Sequence, residues 1–248
     1  MNFVEPKNVV AMQSDRPHDV FYIHWNIGKR CNYDCSYCSD KLHDMKSPHR
    51  SFDNLISIAE KMKKNIPNHK KIRIWFTGGE PTVNPNFLKY CKWLKADGRF
   101  MIGLNTNGSR TKDFLVELMS VVDIIQFSSH FEYVETDKFL PKMKAVSDYC
   151  RSNNGKSMSL NLMMEPEYWP AAVTMVKYCV EHNISYHMKR IRPKSHVDPG
   201  KKGYTPYYTD DQLKFLNDNE YRNVVLEEYD DRHYNIRYKR QAREKMGK

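Results

Sequence analysis

Strand-like and helix-like stretches alternate six times between residues 21 and 217, and few folds accept that order. Residues 21–28 alternate apolar and polar side chains, as a strand does. Residues 51–66 then place Phe52, Leu55, Ile56, Ala59, Met62 and Ile66 at helical spacing, with Pro67 as the stop. The cycle continues with strands over 71–77, 100–105, 121–128, 158–164 and 184–191. Helices are predicted from Asn84-Pro85 onward, read as an N-cap with proline in the first turn, and over 112–120, 136–151, 170–182 and 210–217. Repeated β/α units imply a parallel sheet covered by helices. A closed barrel needs eight such units, so six predict an α/β fold of the open, partial (β/α)6 TIM type. The expected organisation is an extension over 1–20, the barrel core over 21–192, a loop and final helix over 193–218, and a basic tail over 219–248.

Alternation within the strands assigns their faces. Phe21, Ile23, Trp25 and Ile27 should meet the helices, with Ile72, Ile74, Phe76, Leu160, Leu162, Tyr186 and Met188. Tyr22, His24, Asn26, Arg73, Trp75, Thr77, Ser159, Asn161, Ser185, His187 and Lys189 then face the lumen. A closed barrel fills its lumen with branched apolar side chains. This lumen is polar and partly cationic, as a pocket for a polar or anionic ligand would be. His24, His187 and Lys189 are candidates for chemistry inside it, a structural role being the alternative for each histidine.

Three of the six cysteines, Cys31, Cys35 and Cys38, follow the first strand in the run Lys29-Arg30-Cys31-Asn32-Tyr33-Asp34-Cys35-Ser36-Tyr37-Cys38. Thiolates at C-x3-C-x2-C spacing can wrap one iron–sulfur cluster, and three thiolates leave one iron of a cubane open to a small molecule. A structural zinc site is the rival, with His43 as fourth ligand. A disulfide with a spare thiol would suit an exported protein, but the first residues hold no apolar stretch of signal-peptide length. Cys91, Cys150 and Cys179 fall in helical segments as small hydrophobes.

The second strand ends in Thr77-Gly78-Gly79-Glu80-Pro81-Thr82. Two glycines at the carboxyl end of a parallel strand allow close backbone approach to a ligand, and Glu80 adds a carboxylate suited to an ammonium group. Ser128-Ser129-His130 does not read as a nucleophile with its base, because neighbours on a strand point to opposite faces.

The two motifs together resemble those of the radical S-adenosylmethionine superfamily. Its three-cysteine signature is matched by Cys31, Cys35 and Cys38, and its Gly-Gly-Glu-Pro element by Gly78, Gly79, Glu80 and Pro81. Asn105-Thr106-Asn107-Gly108 resembles the family's segment after strand three. Ser128 and Asn161 resemble cofactor-contacting positions on strands four and five, and Tyr37 the aromatic position before the last cysteine. The resemblance covers residues 20–192. It implies a 4Fe–4S cluster on the three cysteines, with S-adenosylmethionine bound to the fourth iron and its ammonium held by Glu80 and the glycine backbone. It further implies one-electron cleavage to a 5′-deoxyadenosyl radical that takes hydrogen from a peptide or small polar substrate. An external donor, flavodoxin- or ferredoxin-like, would supply the electron. Residues 161–166 and 203–208 look most like the branch that adds a twitch or SPASM extension, yet no cysteine follows Cys179 to hold an auxiliary cluster.

The chain carries 40 Lys and Arg against 30 Asp and Glu, a net charge of +10. Arg237, Lys239, Arg240, Arg243, Lys245 and Lys248 concentrate some of it in the tail. That end is read as solvated, or as a dock for nucleic acid on an accessory protein that has lost turnover. No run approaches the roughly 20 apolar residues of a membrane span. A cytoplasmic location, with no membrane partner, is expected.

Overall fold

The computed structural model describes residues 19–39, 42–191, 207–220, 224–229 and 233–238. Six strands, β1 (Val20–Asn26), β2 (Lys71–Thr77), β3 (Phe100–Thr106), β4 (Ile124–Ser129), β5 (Ser157–Met164) and β6 (Tyr186–Arg190), pair in sequence order. Every pairing is parallel. The sheet stays open between β1 and β6, as six units rather than eight require. The expected fold is therefore the one found.

Helices cross between the strands: α1 (Phe52–Asn65), α2 (Phe87–Asp97), α3 (Lys112–Val121), α4 (Thr136–Ser152) and α5 (Trp169–Glu181). Local chemistry sets their ends. Ser51 caps α1 by accepting from the Asn54 amide at 3.2 Å, and Lys63 and Lys64 lie in its last turn, where the helix dipole favours cations. Gly98 ends α2 in the left-handed region at φ 75°, where a side chain would cost backbone strain. Several boundaries differ from the sequence reading: β4 begins at Ile124 rather than at residue 121, which closes α3, and β6 begins at Tyr186 rather than at residue 184. Asn84 and Pro85 do not open α2. The Asn84 side chain accepts from the Asn86 amide at 2.9 Å, forming a turn, and the helix begins two residues later.

The core lies between sheet and helices. Ile72, Ile74, Phe76, Ile102, Leu104, Leu160 and Leu162 are buried on the helix side, as alternation requires. Phe76 meets Phe87 edge to face at 5.3 Å. Such a pair contributes about 1 kcal/mol beyond the area it buries.

A sixth helix, α6 (Asp210–Glu220), completes the last β/α unit. Leu216 is buried in the main core and Phe215 meets Trp169 edge-on at 5.5 Å. The Tyr208 hydroxyl fastens this segment, donating to the Met164 carbonyl at 2.7 Å and accepting from the Ile191 amide at 2.9 Å. Further along lies the segment read as a basic tail. Strands β7 (Val224–Tyr229) and β8 (His233–Tyr238) form an antiparallel hairpin. Residues 1–18, the 193–206 loop and most of the basic cluster lie outside the described residues.

Candidate functional site

The cysteine loop is held against the end of β2 by a continuation of the parallel ladder. Ile27 N–H donates to Thr77 at 3.0 Å, Gly79 N–H to Gly28 at 2.9 Å, and Glu80 N–H to Arg30 at 2.9 Å. Cys31 comes next and donates to the Asp44 carbonyl at 2.8 Å, while Asp44 returns a bond to Lys29 at 2.9 Å. The two sequence motifs are thus one backbone structure. Their glycines are required by the closeness of approach. Gly78 has φ 136°, and a Cβ there would sit 2.4 Å from the Gly28 carbonyl oxygen. A Cβ on Gly79 would sit 2.2 Å from the Lys29 oxygen and 2.4 Å from that of Arg30.

Glu80 is 3% exposed, and its carboxylate is committed to the chain itself. Oε1 accepts from the Thr82 amide at 2.9 Å, the Thr82 hydroxyl at 2.6 Å and the Thr106 hydroxyl at 2.8 Å. Oε2 accepts from the Asn107 amide at 2.6 Å. Burial raises its pKa, and these donors oppose the rise. The geometry shows Glu80 as a tie between the ends of β2 and β3. Pro81, also buried, opens the short turn that presents Thr82 to it. Asn107 extends the tie, donating from its side chain to Asn32 in the cysteine loop at 3.0 Å. Asn105 faces the lumen, where its side-chain oxygen accepts from the Trp75 indole at 2.9 Å.

Cys35 is buried, Cys31 and Cys38 are half-buried, and all three are free thiols. A turn brings the Cys38 amide onto the Cys35 carbonyl at 3.0 Å. Burial pushes the Cys35 thiol up, and Glu132, Cys38 and Cys31 push it further by charge. Three thiolates within electrostatic reach repel one another unless a cationic centre lies among them. Among the described residues no three His, Cys, Asp or Glu side chains converge as a single ion requires. His43 is spoken for, with Nδ1 3.1 Å from the Ser39 carbonyl and Nε2 3.2 Å from Asp34. Both ring nitrogens of the fourth ligand a zinc site would need are thus already engaged.

A polar cluster beside the loop went unread in the sequence. The Tyr37 hydroxyl lies 2.6 Å from His130 Nδ1, and the two rings stack at 5.8 Å. Cys35 Sγ is 3.5 Å from the same nitrogen. Burial holds His130 down at about 4, so the ring is neutral near pH 7. Ser129 turns the other way and donates to the Asn161 carbonyl at 3.2 Å, so serine and histidine do not pair. Glu132 accepts from the Ser36 amide at 2.9 Å and from its hydroxyl. Glu165, the residue after β5, is completely buried, and neither of its oxygens meets hydrogen-bond geometry with a partner among the described residues. Burial first, then the Glu132 charge, raises it to about 7. These residues come from loops after β1, β4 and β5. The sequence signals were Tyr37 before the last cysteine and a lone carboxylate after an apolar strand.

Below this rim the lumen is open, with a cavity of about 600 Å³. His24, Arg73, Trp75, Asn105 and Gln126 line it, and no carboxylate among the described residues does. His24 lies 6.4 Å from Trp75, ring to ring. Ser128, Asn161 and His187 sit side by side in register, one layer nearer the rim. Asn161 is 7% exposed, and its Oδ1 has no hydrogen-bond partner among the described residues. Burial, then Lys189, lowers the His187 pKa. Lys189 is exposed and pairs with Met163. His24 therefore belongs to the cavity wall and His187 to the Asn161 layer, while Lys189 stands further out.

A family model described as "Radical SAM superfamily" matches residues 25–152, just over half of the chain. The chain belongs to the radical SAM superfamily. Curated proteins similar to it include a tungsten-containing aldehyde ferredoxin oxidoreductase cofactor-modifying protein of Pyrococcus furiosus, 34% identical over 110 residues, 43% of this chain and 30% of that protein. A GTP 3′,8-cyclase of Haemophilus ducreyi is 32% identical over 90 residues, 36% of this chain and 26% of that one. The matches span only about a quarter to a third of those two relatives' length. A similar fold is seen in Streptococcus suis SuiB, solved bound to the precursor peptide SuiA. The TM-score is 0.54 at 18% identity, over 79% of this chain and 44% of SuiB.

Superfamily membership implies an iron–sulfur cluster and S-adenosylmethionine. The residues present fit both. The three free thiols of one short loop are the donor set an iron–sulfur cluster takes, and Asn161 Oδ1 is a buried acceptor with no partner among the described residues.

Proposed function

We propose that this chain is the catalytic core of a radical SAM enzyme carrying a 4Fe–4S cluster. When bound, the reduced cluster supplies the electron that splits S-adenosylmethionine into methionine and a 5′-deoxyadenosyl radical able to take hydrogen from a substrate. The observation that carries the reading is the bonding of Gly79 and Glu80 to Gly28 and Arg30, which fixes the cofactor turn beside Cys31 over a polar lumen.

In this reading Cys31, Cys35 and Cys38 hold the cluster as thiolates. The backbone of Gly78 and Gly79 receives the cofactor's ammonium end. Glu80 acts by positioning, since its carboxylate spends its bonds on Thr82, Thr106 and Asn107. Asn161 accepts a hydrogen bond from the cofactor, with Ser128 beside it, and Tyr37 packs at the loop's edge. Thr106 and Asn105 serve through Glu80 and Trp75. The substrate, a small polar molecule, enters the lumen walled by His24 and Trp75, with His187 above. An external flavodoxin- or ferredoxin-like protein delivers the electron.

The test is spectroscopic. Anaerobic protein reconstituted with iron and sulfide should bind roughly four of each. Its reduced paramagnetic signal should change shape when S-adenosylmethionine is added. A signal indifferent to S-adenosylmethionine would overturn the reading.

A further inference from the structure

Among the described residues the lumen carries charge of one sign only. Arg73 lines the cavity and lies 5.5 Å above the Tyr22 ring, and no carboxylate pairs with it among the described residues. Among the described residues the inward face also presents Tyr22, His24, His187 and Lys189, and none of these is a carboxylate. A guanidinium half-withdrawn from water without a counter-ion is costly, and a ligand bearing an anion removes that cost.

Next to it stands an aromatic platform. Trp75 is two residues further along β2, on the same face and about 7 Å nearer the cysteine loop. Its six-membered ring occupies the space a side chain on Gly103 would fill, with a Cβ there only 2.2 Å from the ring. Its indole N–H is held by Asn105 at 2.9 Å. The ring is thus braced on the β3 side and at one edge, and it lines the cavity. A pre-set aromatic surface takes a planar group with little ordering cost.

Resting on the radical SAM reading above, we infer that the lumen binds a small substrate made of a planar ring and one anionic group. The ring lies against Trp75 and the anion is held by Arg73. The strand direction also orients the ligand. Arg73 lies deeper in the barrel than Trp75, and the cysteines lie at the opposite, carboxyl end. The anion therefore points away from the site of radical formation, and the carbon that loses hydrogen is on the part of the molecule remote from it. A cavity of about 600 Å³ is within the size range of small-molecule sites.

The test pairs each anion with its uncharged twin: guanosine 5′-monophosphate with guanosine, uridine 5′-monophosphate with uridine, and indole-3-acetate with indole-3-acetamide. Each is titrated calorimetrically into cluster-loaded protein with S-adenosylmethionine present. At least one anion should bind roughly tenfold or more tightly than its twin. Arg73→Gln should erase that ratio, Arg73→Lys should keep most of it, and Trp75→Leu should weaken both members of the pair. Lys92→Gln, on the outer face of α2, should change nothing. Failure of every anion to bind, equal binding of twins, or a ratio that survives Arg73→Gln would overturn the inference. 5′-Deoxyadenosine is measured separately on the same protein. Cofactor cleavage without anion binding removes only the lumen inference, and anion binding without cleavage removes only the radical reading.

Discussion

The Glu80 amide donates to the Arg30 carbonyl at 2.9 Å, and Cys31 is the next residue along. This bond exists because Gly79 lets two backbones meet where a methyl group would lie 2.4 Å from the Arg30 oxygen. Gly79→Ala should therefore push the turn off the cysteine loop. A loss of about 1–3 kcal/mol in stability is expected, with a larger loss in iron bound per chain. Gly155→Ala is the useful comparison, since it has a positive φ of 80° but open space around it. It should cost some stability and no iron. Equal iron content in Gly79→Ala and the parent would contradict the proposed contact.

Glu80 offers a separate check on positioning. Four donors converge on its carboxylate, so Glu80→Gln turns an amide NH2 toward at least one of them. That mismatch should cost about 1–3 kcal/mol, read as a lower thermal midpoint. Because the cofactor's ammonium is held by backbone in this account, affinity for S-adenosylmethionine should fall little in the fraction that stays folded. A collapse of affinity with no loss of stability would instead make Glu80 a direct ligand.

Glu165 should make stability fall with pH. Below its ordinary value of 4.5 the carboxyl is protonated in both folded and unfolded chains and contributes nothing. Between 4.5 and about 7 the unfolded chain releases the proton while the fold retains it, so stability declines as pH rises. Above about 7 the full cost, of order 3 kcal/mol, persists. Glu165→Gln carries no such charge. The midpoint of the variant should gain on the parent from pH 5 to 7.5 and then run parallel. A gap that does not vary with pH would show that Glu165 is already ionised.

Asn161 is a site where binding and stability should part. Its buried Oδ1 lacks a partner among the described residues, which costs about 1–3 kcal/mol in the protein alone. Asn161→Leu, close in volume, should raise the thermal midpoint and weaken S-adenosylmethionine binding. A variant that is both less stable and equally able to bind would assign Asn161 to packing.

Much of this architecture was legible because parallel strands write their faces in alternation. Ile72, Ile74 and Phe76 alternate with Arg73, Trp75 and Thr77, and the fold places them on helix and lumen sides as read. The cysteines and the glycine turn were legible because each motif is contiguous. What stayed hidden depends on contacts between distant segments. Tyr37, His130 and Glu165 are far apart in the chain and become neighbours only when three loops gather at one rim. The commitment of Glu80 to Thr106 and Asn107 is equally invisible until β2 and β3 pair. Asn84 misled because an asparagine before proline serves a turn as readily as a helix cap. The β7–β8 hairpin escaped because charge dominates its segment, masking the strand-forming Val224, Val225, Tyr234 and Ile236.

The central claim is that Cys31, Cys35 and Cys38 hold a cluster that initiates radical chemistry. The most direct measurement is 5′-deoxyadenosine formed anaerobically from S-adenosylmethionine and dithionite, by reconstituted protein beside Cys35→Ala. The account predicts product from the parent, and neither product nor cluster absorbance from the variant. Product that survives Cys35→Ala, or none from a parent shown to carry its cluster and its substrate, would contradict it.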